Sequence, residues 1–329
     1  MMEGSTLAFL VALILLNKQP LSSDGLTYTQ WYMALGRGLP RPCAGFEIGF
    51  CGISQAMHLL AVPPEYFLKF WSLVIYVTSY VGVRRLVEDH PVKIVLPVIF
   101  LLCSSAYLPF SITEHLTRQY VAGAIIIVGL SQKNLAYTVL SVAVAGLFHS
   151  FSFVMLPVAI ALWGGVGLPF MLISVVLAIY MNTQGDILNL LSRFFVEISW
   201  LGEYLENEFL KSAAYRFNIY WMGFSRNFGY PEVSFRGIAI AFLLFAALAR
   251  RFEYRNSIIF AAFTMILWYI LSANDLFGHR IYHYIREITM IPTCCSIMLV
   301  FQMAYDWLRS RREVLMRSSV GSGKIEIDD

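Results

Sequence analysis

Residues 117–149 read TRQYVAGAIIIVGLSQKNLAYTVLSVAVAGLFH. Two almost wholly apolar stretches are joined by the short polar turn 131–134, which carries Lys133. A helix crosses a membrane with roughly 20 apolar residues, and with fewer when aromatic side chains anchor its ends. Each stretch is therefore predicted to be a membrane-spanning helix, and the lysine predicts a cytoplasmic turn between them.

The composition extends this interpretation to the whole chain. Of its 329 residues, 58% are hydrophobic and 14% are charged. A soluble domain is nearer to half apolar and about a quarter charged. The chain is predicted to be all-α, a polytopic integral membrane protein with about ten transmembrane helices. The predicted spans lie near residues 3–17, 66–83, 92–109, 117–131, 134–149, 151–163, 167–182, 233–249, 256–273 and 284–305.

The basic residues predict the orientation of these spans. Lys and Arg concentrate in cytoplasmic loops close to the ends of membrane helices. Here they cluster in 84–93, at Lys133, in 250–255 and in the basic tail 309–329. Both termini are therefore predicted to be cytoplasmic, with residues 1–308 forming a single transmembrane domain and the end of the tail disordered. The opposite face then carries two long outer loops, 18–65 and 183–232.

Both outer loops are predicted to contain amphipathic helices. Residues 46–61 carry polar side chains along one stripe, which is typical of a helix lying in the interface or re-entering; a complete crossing is the alternative. Residues 186–217 repeat apolar side chains at helical spacing among charges, and are predicted to rest on the outer surface as a lid or as a solvated cap. Cys43 and Cys51 lie in the first loop and can pair, although free thiols are the favoured interpretation.

Ionisable side chains gather on the predicted outer face. Polar groups at membrane depth are costly and usually face a functional cavity. Arginine donates to two oxygens of a phosphate or diphosphate at once, and a nearby carboxylate or histidine can act as a general base. The candidates are Asp24, Glu47, Arg118, His149, Arg280 and Arg286. Together they suit a reaction in which an acceptor hydroxyl attacks while a lipid diphosphate leaves.

Each candidate also has a purely structural alternative. Arg118 can extend from a helix end to the lipid headgroups. His149 can be a core histidine bonded to a backbone carbonyl, and Asp24 and Tyr28 can cap and anchor a loop helix. Residues 278–284 can form an interfacial belt of aromatic and cationic side chains.

The motifs that are absent narrow the classes of function. The sequence contains no Walker A and no G-x-G-x-x-G motif, so it predicts no nucleotide site and no cofactor. His279 and His283 stand four residues apart, but the sequence has no H-E-x-x-H and no Asp-x-Asp spacing, so no metal site is predicted. A net charge of +3 is too small to indicate nucleic-acid binding.

The order of several short motifs resembles the EpsG family of multi-pass proteins, which are similar to Wzy-type polysaccharide polymerases. The resemblance covers most of the first half of the chain and reappears near residue 280. The motifs are Asp24-Gly-Leu-Thr-Tyr28, Phe46-Glu47-Ile48-Gly49-Phe50, Leu116-Thr117-Arg118-Gln119-Tyr120-Val121-Ala122, Leu147-Phe148-His149-Ser150 and Arg280-Ile281-Tyr282-His283-Tyr284. In the second motif Ile48 stands where the family has a proline.

The resemblance implies a glycosyltransferase of the bacterial inner membrane that acts on the periplasmic or outer face. Such enzymes join undecaprenyl-diphosphate-linked oligosaccharide repeats into O-antigen or exopolysaccharide, and their fold is similar to GT-C-like lipid-sugar glycosyltransferases. The donor is already activated by its lipid diphosphate, so no cofactor is implied. The implied partners are the lipid-linked oligosaccharide donor and acceptor, membrane lipids, a chain-length regulator and a flippase.

The ordered motifs and the outer-face charges together predict roles for individual residues. Six side chains bind the substrate or its diphosphate: Arg118, Gln119, Tyr28, Arg280, Tyr284 and Arg286. Asp24 or Glu47 is the catalytic base, and His149 orients a substrate or shares that role. A polysaccharide ligase or acyltransferase on the same face is one alternative. A lipid-linked glycan transporter is another, although it needs charged groups at mid-membrane depth and openings to both faces.

Overall fold

The computed structural model describes residues 2–16, 23–37, 43, 45–86, 95–107, 116–132, 134–164, 260, 300 and 303–313. Every regular element in these ranges is a helix, as the sequence predicts. The helices are α1 (Met2–Leu16), α2 (Ser23–Leu35), α3 (Ile48–Leu59), α4 (Pro64–Leu86), α5 (Leu96–Tyr107), α6 (Thr117–Leu130), α7 (Leu135–Gly146), a 3-10 helix (Ser150–Met155) and α8 (Leu156–Trp163). Residues 303–313 are also helical.

Helix α4 is the longest of these elements and the one against which α1, α2 and α6 pack. It begins at Pro64, where the missing N–H is no loss, because the first turn of a helix has no internal acceptor for it. Arg84 and Arg85 close its last turn. Within the described ranges, its residues Pro64–Arg85 form the one helix that is both long and apolar enough to cross a membrane.

Shorter apolar helices complete the core. Thr117–Leu130, Leu135–Gly146 and Ser150–Ala161 are all apolar. Almost every side chain of α6 is buried, because this helix lies between α4 and α7. The interiors of α4 and α6 supply fully buried side chains such as Trp71, Ile75 and Ile126. Many large apolar side chains on the outer surfaces of these helices are exposed, including Leu102, Leu140 and Trp163.

Helices α6 and α7 form a tightly packed hairpin. Asn134 caps α7, since its side-chain oxygen accepts a hydrogen bond from the backbone N–H of Ala136 at 2.9 Å. Near the turn, a Cβ added at Gly129 would lie 1.8 Å from Oγ of Ser141. Only glycine fits there, and small residues at such contacts let membrane helices approach closely. The hairpin brings the start of α6 and the end of α7 to one end of the bundle.

Most predicted spans that fall in the described ranges coincide with a helix, with three differences. The predicted span 151–163 is divided between the 3-10 helix and α8. The predicted span 92–109 corresponds to α5, which begins at Leu96. The predicted span 134–149 is not one helix, because α7 ends at Gly146 and His149 has an extended backbone with φ −150° and ψ 108°. The spans predicted at 167–182, 233–249, 256–273 and 284–305, and the surface helices predicted at 186–217, lie wholly or almost wholly outside the described residues.

Candidate active site

Glu47 stands at the centre of a buried polar cluster. It is the N-cap residue of α3, but its side chain does not cap that helix. Instead its Oε2 accepts a hydrogen bond from Nη1 of Arg118 at 2.5 Å, and its side chain is only 9% exposed. Arg118 is the second residue of α6 and lies 71 positions further along the chain. A buried charge needs such a partner, because desolvation without one is very costly.

The second oxygen of the same carboxylate is also occupied. Oε1 of Glu47 accepts hydrogen bonds from the backbone N–H and from the hydroxyl of Ser150, both at 3.2 Å. Nδ1 of His149 lies 3.4 Å from the same oxygen. An ionised carboxylate can only accept, so Nδ1 carries a proton, and in the neutral form of the His149 ring the lone pair is on Nε2. Glu47 therefore fixes the tautomer of His149.

Arg118 is held by aromatic rings as well as by the carboxylate. Its Nε donates to the hydroxyl of Tyr28 at 3.3 Å, and Nη1 donates to the carbonyl of Gly45 at 3.4 Å. Its guanidinium carbon lies 5.5 Å from the ring centre of Tyr28 and 5.1 Å from that of Phe46. Cation–π contacts of this kind are stronger where water is excluded. Its partners hold Arg118 inside the protein, so the alternative of a side chain extending to the headgroups is wrong.

These residues meet because the start of α3 lies against the break after α7. The backbone N–H of Gly49 donates to the carbonyl of Leu147 at 2.8 Å. A Cβ at Gly49 would lie 2.9 Å from that oxygen and 3.2 Å from the ring of Phe148. Glycine is therefore required at this position for the two segments to touch. The end of α7 at Gly146 frees residues 147–149 to accept this contact and to present His149 to Glu47.

A cluster of aromatic rings from α2, α3 and α4 packs beside the polar cluster. Trp31 of α2 lies 4.1 Å from Phe46 between ring centres, and Phe50 of α3 lies 4.8 Å from Trp71 of α4. Tyr28 lies 5.7 Å from Phe50. Aromatic pairs at these separations contribute about 0.5–1.5 kcal/mol beyond the area they bury. The charged residues thus rest on a packed support drawn from three helices.

The electrostatic surroundings keep Glu47 ionised. Burial by itself raises the pKa of this carboxyl. The hydrogen bond to His149, the positive charge of Arg118 and the hydrogen bond from the backbone of Ser150 outweigh burial and hold the pKa well below its usual range. A carboxylate with so low a pKa and four donors around it is a weak proton acceptor. Its geometry suits the orientation of His149 better than removal of a proton from a substrate.

A disulfide encloses the segment that carries Glu47. Cys43 and Cys51 are bonded to each other, with their Cα atoms 5.6 Å apart. The favoured interpretation of these cysteines as free thiols was therefore wrong. A sequence separation of eight permits pairing but does not reveal it, because the Cα distance depends on how the chain turns between Gly45 and Gly49.

The other predicted site residues are distributed as follows. Asp24 lies in the first turn of α2, one turn before Tyr28, and is partly buried. Gln119 follows Arg118 in α6 and is 2% exposed. Tyr28 is buried beside Arg118, and its role in a sugar groove stays a prediction. Arg280, Tyr284 and Arg286 lie outside the described residues, so their predicted roles also stay predictions.

Three contributors to the cluster were not among the predicted site residues. Ser150 donates twice to Glu47, while Gly45 and Phe46 contact Arg118. Phe46 and Ser150 each stand next to a predicted residue within a quoted motif, and that adjacency was the available signal. In the described part of the chain, no group of three or more His, Cys, Asp or Glu side chains is arranged to hold a metal ion.

Comparison with known proteins gives one match. The profile of the EpsG family matches residues 5–305, which is nearly the whole chain. The chain therefore belongs to the EpsG family, a family similar to Wzy-type polysaccharide polymerases. The resemblance seen in the short motifs is confirmed. No curated protein and no solved structure matches the chain. Family membership and the apolar helices together indicate a membrane protein of polysaccharide biosynthesis.

Proposed function

We propose that this member of the EpsG family is a polysaccharide polymerase. It joins undecaprenyl-diphosphate-linked oligosaccharide repeats into O-antigen or exopolysaccharide by glycosyl transfer. The observation that carries the proposal is the contact of Glu47 with both Arg118 and His149, residues contributed by three separate segments. The family match over residues 5–305 supports the same class of reaction.

The arrangement in the membrane is part of the proposal. The chain crosses the bacterial inner membrane about ten times in one domain, 1–308, with both termini and the tail 309–329 in the cytoplasm. Its fold is of the GT-C-like type, and the cluster around Glu47 faces the periplasm. Basic residues at Arg84 and Arg85 stand at the opposite end of α4 from Pro64, which supports this orientation.

In the proposed reaction, His149 is the proton acceptor and Glu47 holds it in place. The acceptor sugar hydroxyl gives its proton to Nε2 of His149. Its oxygen then bonds to the anomeric carbon of the donor, and the bond from that carbon to the lipid diphosphate breaks, so that the diphosphate leaves with the electron pair. Asp24 is the alternative proton acceptor. Glu47 is less suited, because Arg118, His149 and Ser150 already occupy both of its oxygens.

Cationic side chains stabilise the leaving diphosphate in this proposal. Arg118 keeps one side of its guanidinium on Glu47 and turns the remaining N–H groups towards the substrate, with Gln119 beside it. Arg280 and Arg286 complete the diphosphate site, and Tyr28 and Tyr284 contact the sugars. Stabilisation of charge that develops on a leaving group is commonly a dominant contribution to catalysis. Donor and acceptor lipid-linked oligosaccharides, with a flippase and a chain-length regulator, are the proposed partners.

The test is the pattern of surface polysaccharide. Cells that lack the gene are complemented with wild type, Arg118→Ala or the exposed control Arg85→Ala, at matched levels of the membrane-inserted protein. Polysaccharide from each strain is separated on a silver-stained gel. The proposal expects a ladder of repeats with wild type and with Arg85→Ala, and a single repeat with Arg118→Ala or no gene.

The other outcomes contradict the proposal in distinct ways. A ladder that persists without the gene means that another protein performs polymerisation, and points to transport or to modification of single units. If loss of the gene leaves polymer of unchanged length that is not attached to its final acceptor, the protein is a ligase. A ladder restored fully by Arg118→Ala removes Arg118 from the reaction.

A further inference from the structure

We propose that the Cys43–Cys51 disulfide positions Glu47 for catalysis, so that the rate of glycosyl transfer depends on whether this bond is formed. The proposal rests on the proposed function. It concerns a covalent restraint on the site, and it makes Cys43 and Cys51 positioning residues that act through Glu47 and His149.

The disulfide encloses the segment of the first outer loop that carries Glu47 and three of the contacts to Arg118. Between the two cysteines lie the carbonyl of Gly45, the ring of Phe46, the carboxylate of Glu47 and the N–H of Gly49. The first three contact Arg118, and the N–H of Gly49 bonds to Leu147. The bond closes this segment into a small ring whose centre is the carboxylate.

The ends of the ring differ in how they are held. Cys51 lies in the first turn of α3 and is completely buried, and its N–H donates to the carbonyl of Glu47 at 2.9 Å. Cys43 precedes the helix and is partly exposed. Its carbonyl accepts a hydrogen bond from the backbone N–H of Phe46 at 3.0 Å. The side-chain amide of Gln55 donates weakly to its sulfur at 3.9 Å. The disulfide is therefore the strong link between the start of the loop and the helix.

The position of the Glu47 carboxylate depends on the turn that enters α3. Glu47 is the N-cap residue of this helix, but its side chain makes no capping hydrogen bond. Gly45 adopts φ +85° in this turn, a conformation that suits glycine. Without the covalent bond the turn gains conformational freedom, and a displacement of about 1 Å at a catalytic contact can reduce a rate by about 10²-fold.

The Cys43–Cys51 bond forms by a two-electron oxidation of two thiols. Formation of the bond removes two electrons and two protons from the thiols of Cys43 and Cys51, and a protein disulfide oxidant accepts them by thiol–disulfide exchange. A dithiol or phosphine reductant reverses the reaction by supplying two electrons, with two protons taken up by the thiolates. Disulfides persist in oxidising compartments such as the periplasm. A chain exposed to the cytoplasmic side would hold the two thiols reduced and the site loosened.

The experiment measures elongation by the full chain in lipid nanodiscs, with a lipid-diphosphate-linked repeat as substrate. The oxidised wild type is compared with the same protein reduced by a phosphine, reduced and then reoxidised, and with Cys43→Ser/Cys51→Ser. Cys103→Ser is the matched control, because Cys103 is a buried cysteine in α5 that lies outside the Cys43–Cys51 bond and is distant in sequence from the site. Mass spectrometry after thiol alkylation counts the bonded cysteines in each sample.

The proposal expects kcat to fall by about tenfold or more on reduction and to recover on reoxidation, with KM for the repeat changed by less than about threefold, as loss of a transition-state contact predicts. The double variant should be slow and insensitive to reductant, whereas Cys103→Ser should respond like wild type. Gel filtration should show the same monodisperse protein in every sample, which separates positioning from a loss of folded protein.

The contrary results are distinguishable. Equal kcat for oxidised and reduced wild type overturns the role of the disulfide while leaving the polymerase proposal intact. Aggregation that accounts for all the lost activity shows that the bond serves folding only, and also overturns the inference. No elongation by the oxidised wild type, with its disulfide verified, overturns the proposed function itself.

Discussion

At the level of single residues, the roles of Arg118 and His149 follow from their contacts with the two oxygens of the Glu47 carboxylate. Both oxygens of Glu47 accept hydrogen bonds, and one of the donors is a guanidinium. The removal of one partner leaves the other charge buried and unpaired, a change that destabilises proteins by about 3–5 kcal/mol. The three residues are therefore expected to be intolerant of substitution individually.

Replacement of Glu47 by Gln tests this interdependence. The amide keeps the shape of the side chain but loses the charge that faces Arg118 and holds Nδ1 of His149. We expect elongation to fall by about 10²-fold or more, as loss of an oriented acid–base group commonly produces. The matched control is Glu65→Gln, an exposed glutamate in the first turn of α4. If Glu47→Gln elongates at a rate within about twofold of the control, the role of Glu47 in orienting His149 is contradicted.

The lowered pKa of Glu47 predicts a specific loss of stability in acid. Its pKa in the folded protein lies well below the ordinary value of 4.5. The carboxylate therefore contributes stability that is fully present above 4.5 and is lost as pH falls from there towards the folded pKa. Glu47→Gln cannot take up this proton, so its unfolding temperature should fall less steeply than that of wild type between pH 5 and pH 3. Parallel slopes in thermal unfolding of the two purified proteins would refute this prediction.

At the scale of elements, the site depends on the approach of α3 to the segment after α7. Both segments are recognisable in the sequence, and the pattern of basic residues predicts Arg118 and His149 on the same side of the membrane. Hydropathy did not identify the end of α7 at Gly146, because the segment 134–149 is predominantly apolar and hydropathy alone does not register a change of backbone direction. The extended backbone of His149 lies between the Gly49–Leu147 hydrogen bond and the 3-10 helix that begins at Ser150.

Gly49 and Gly52 offer a matched pair for this contact. A methyl group at Gly49 would clash with the backbone of Leu147, whereas a methyl group at Gly52 meets nothing within 4 Å. We expect Gly49→Ala to separate α3 from Leu147, to lower the unfolding temperature and to abolish the ladder of repeats. Gly52→Ala should keep the ladder and gain up to about 0.5–1 kcal/mol of stability, because alanine is favoured over glycine within a helix.

Both variants are best compared by gel filtration with a fluorescent tag and by polysaccharide gels from the same cultures. Equal behaviour of the two variants would show that the approach of α3 to Leu147 does not hold the site together. Disruption by Gly52→Ala alone would indicate that the exposed face of α3 is the important surface.

At the scale of the whole molecule, the orientation in the membrane determines which compartment the site meets. The proposed topology puts the end of α2 outside and the turn between α6 and α7 inside. We expect a cysteine introduced at Arg37, which is exposed, to react with a membrane-impermeant maleimide in spheroplasts. A cysteine at Asn134, also exposed, should react only after the membrane is permeabilised. The opposite labelling pattern would place the cluster around Glu47 in the cytoplasm.

The class of protein and the kinds of side chain available to its site follow from the amino-acid sequence alone. The free energy of transfer into lipid is a property of each local segment, so apolar runs predict membrane helices without knowledge of the fold. The motif order likewise identified the family, and it nominated Glu47, Arg118 and His149.

How these three residues come into contact depends on the packing of the folded chain. Contacts across 71 and 102 positions depend on the packing of α3, α6 and α7, and no local pattern records them. The same holds for the Cys43–Cys51 bond, whose formation requires a turn that brings two Cα atoms to 5.6 Å. The carboxylate of Glu47 is shared between Arg118 and His149, which makes it a group that positions both of them. The role of each residue in the site therefore follows from three-dimensional proximity and not from residue identity.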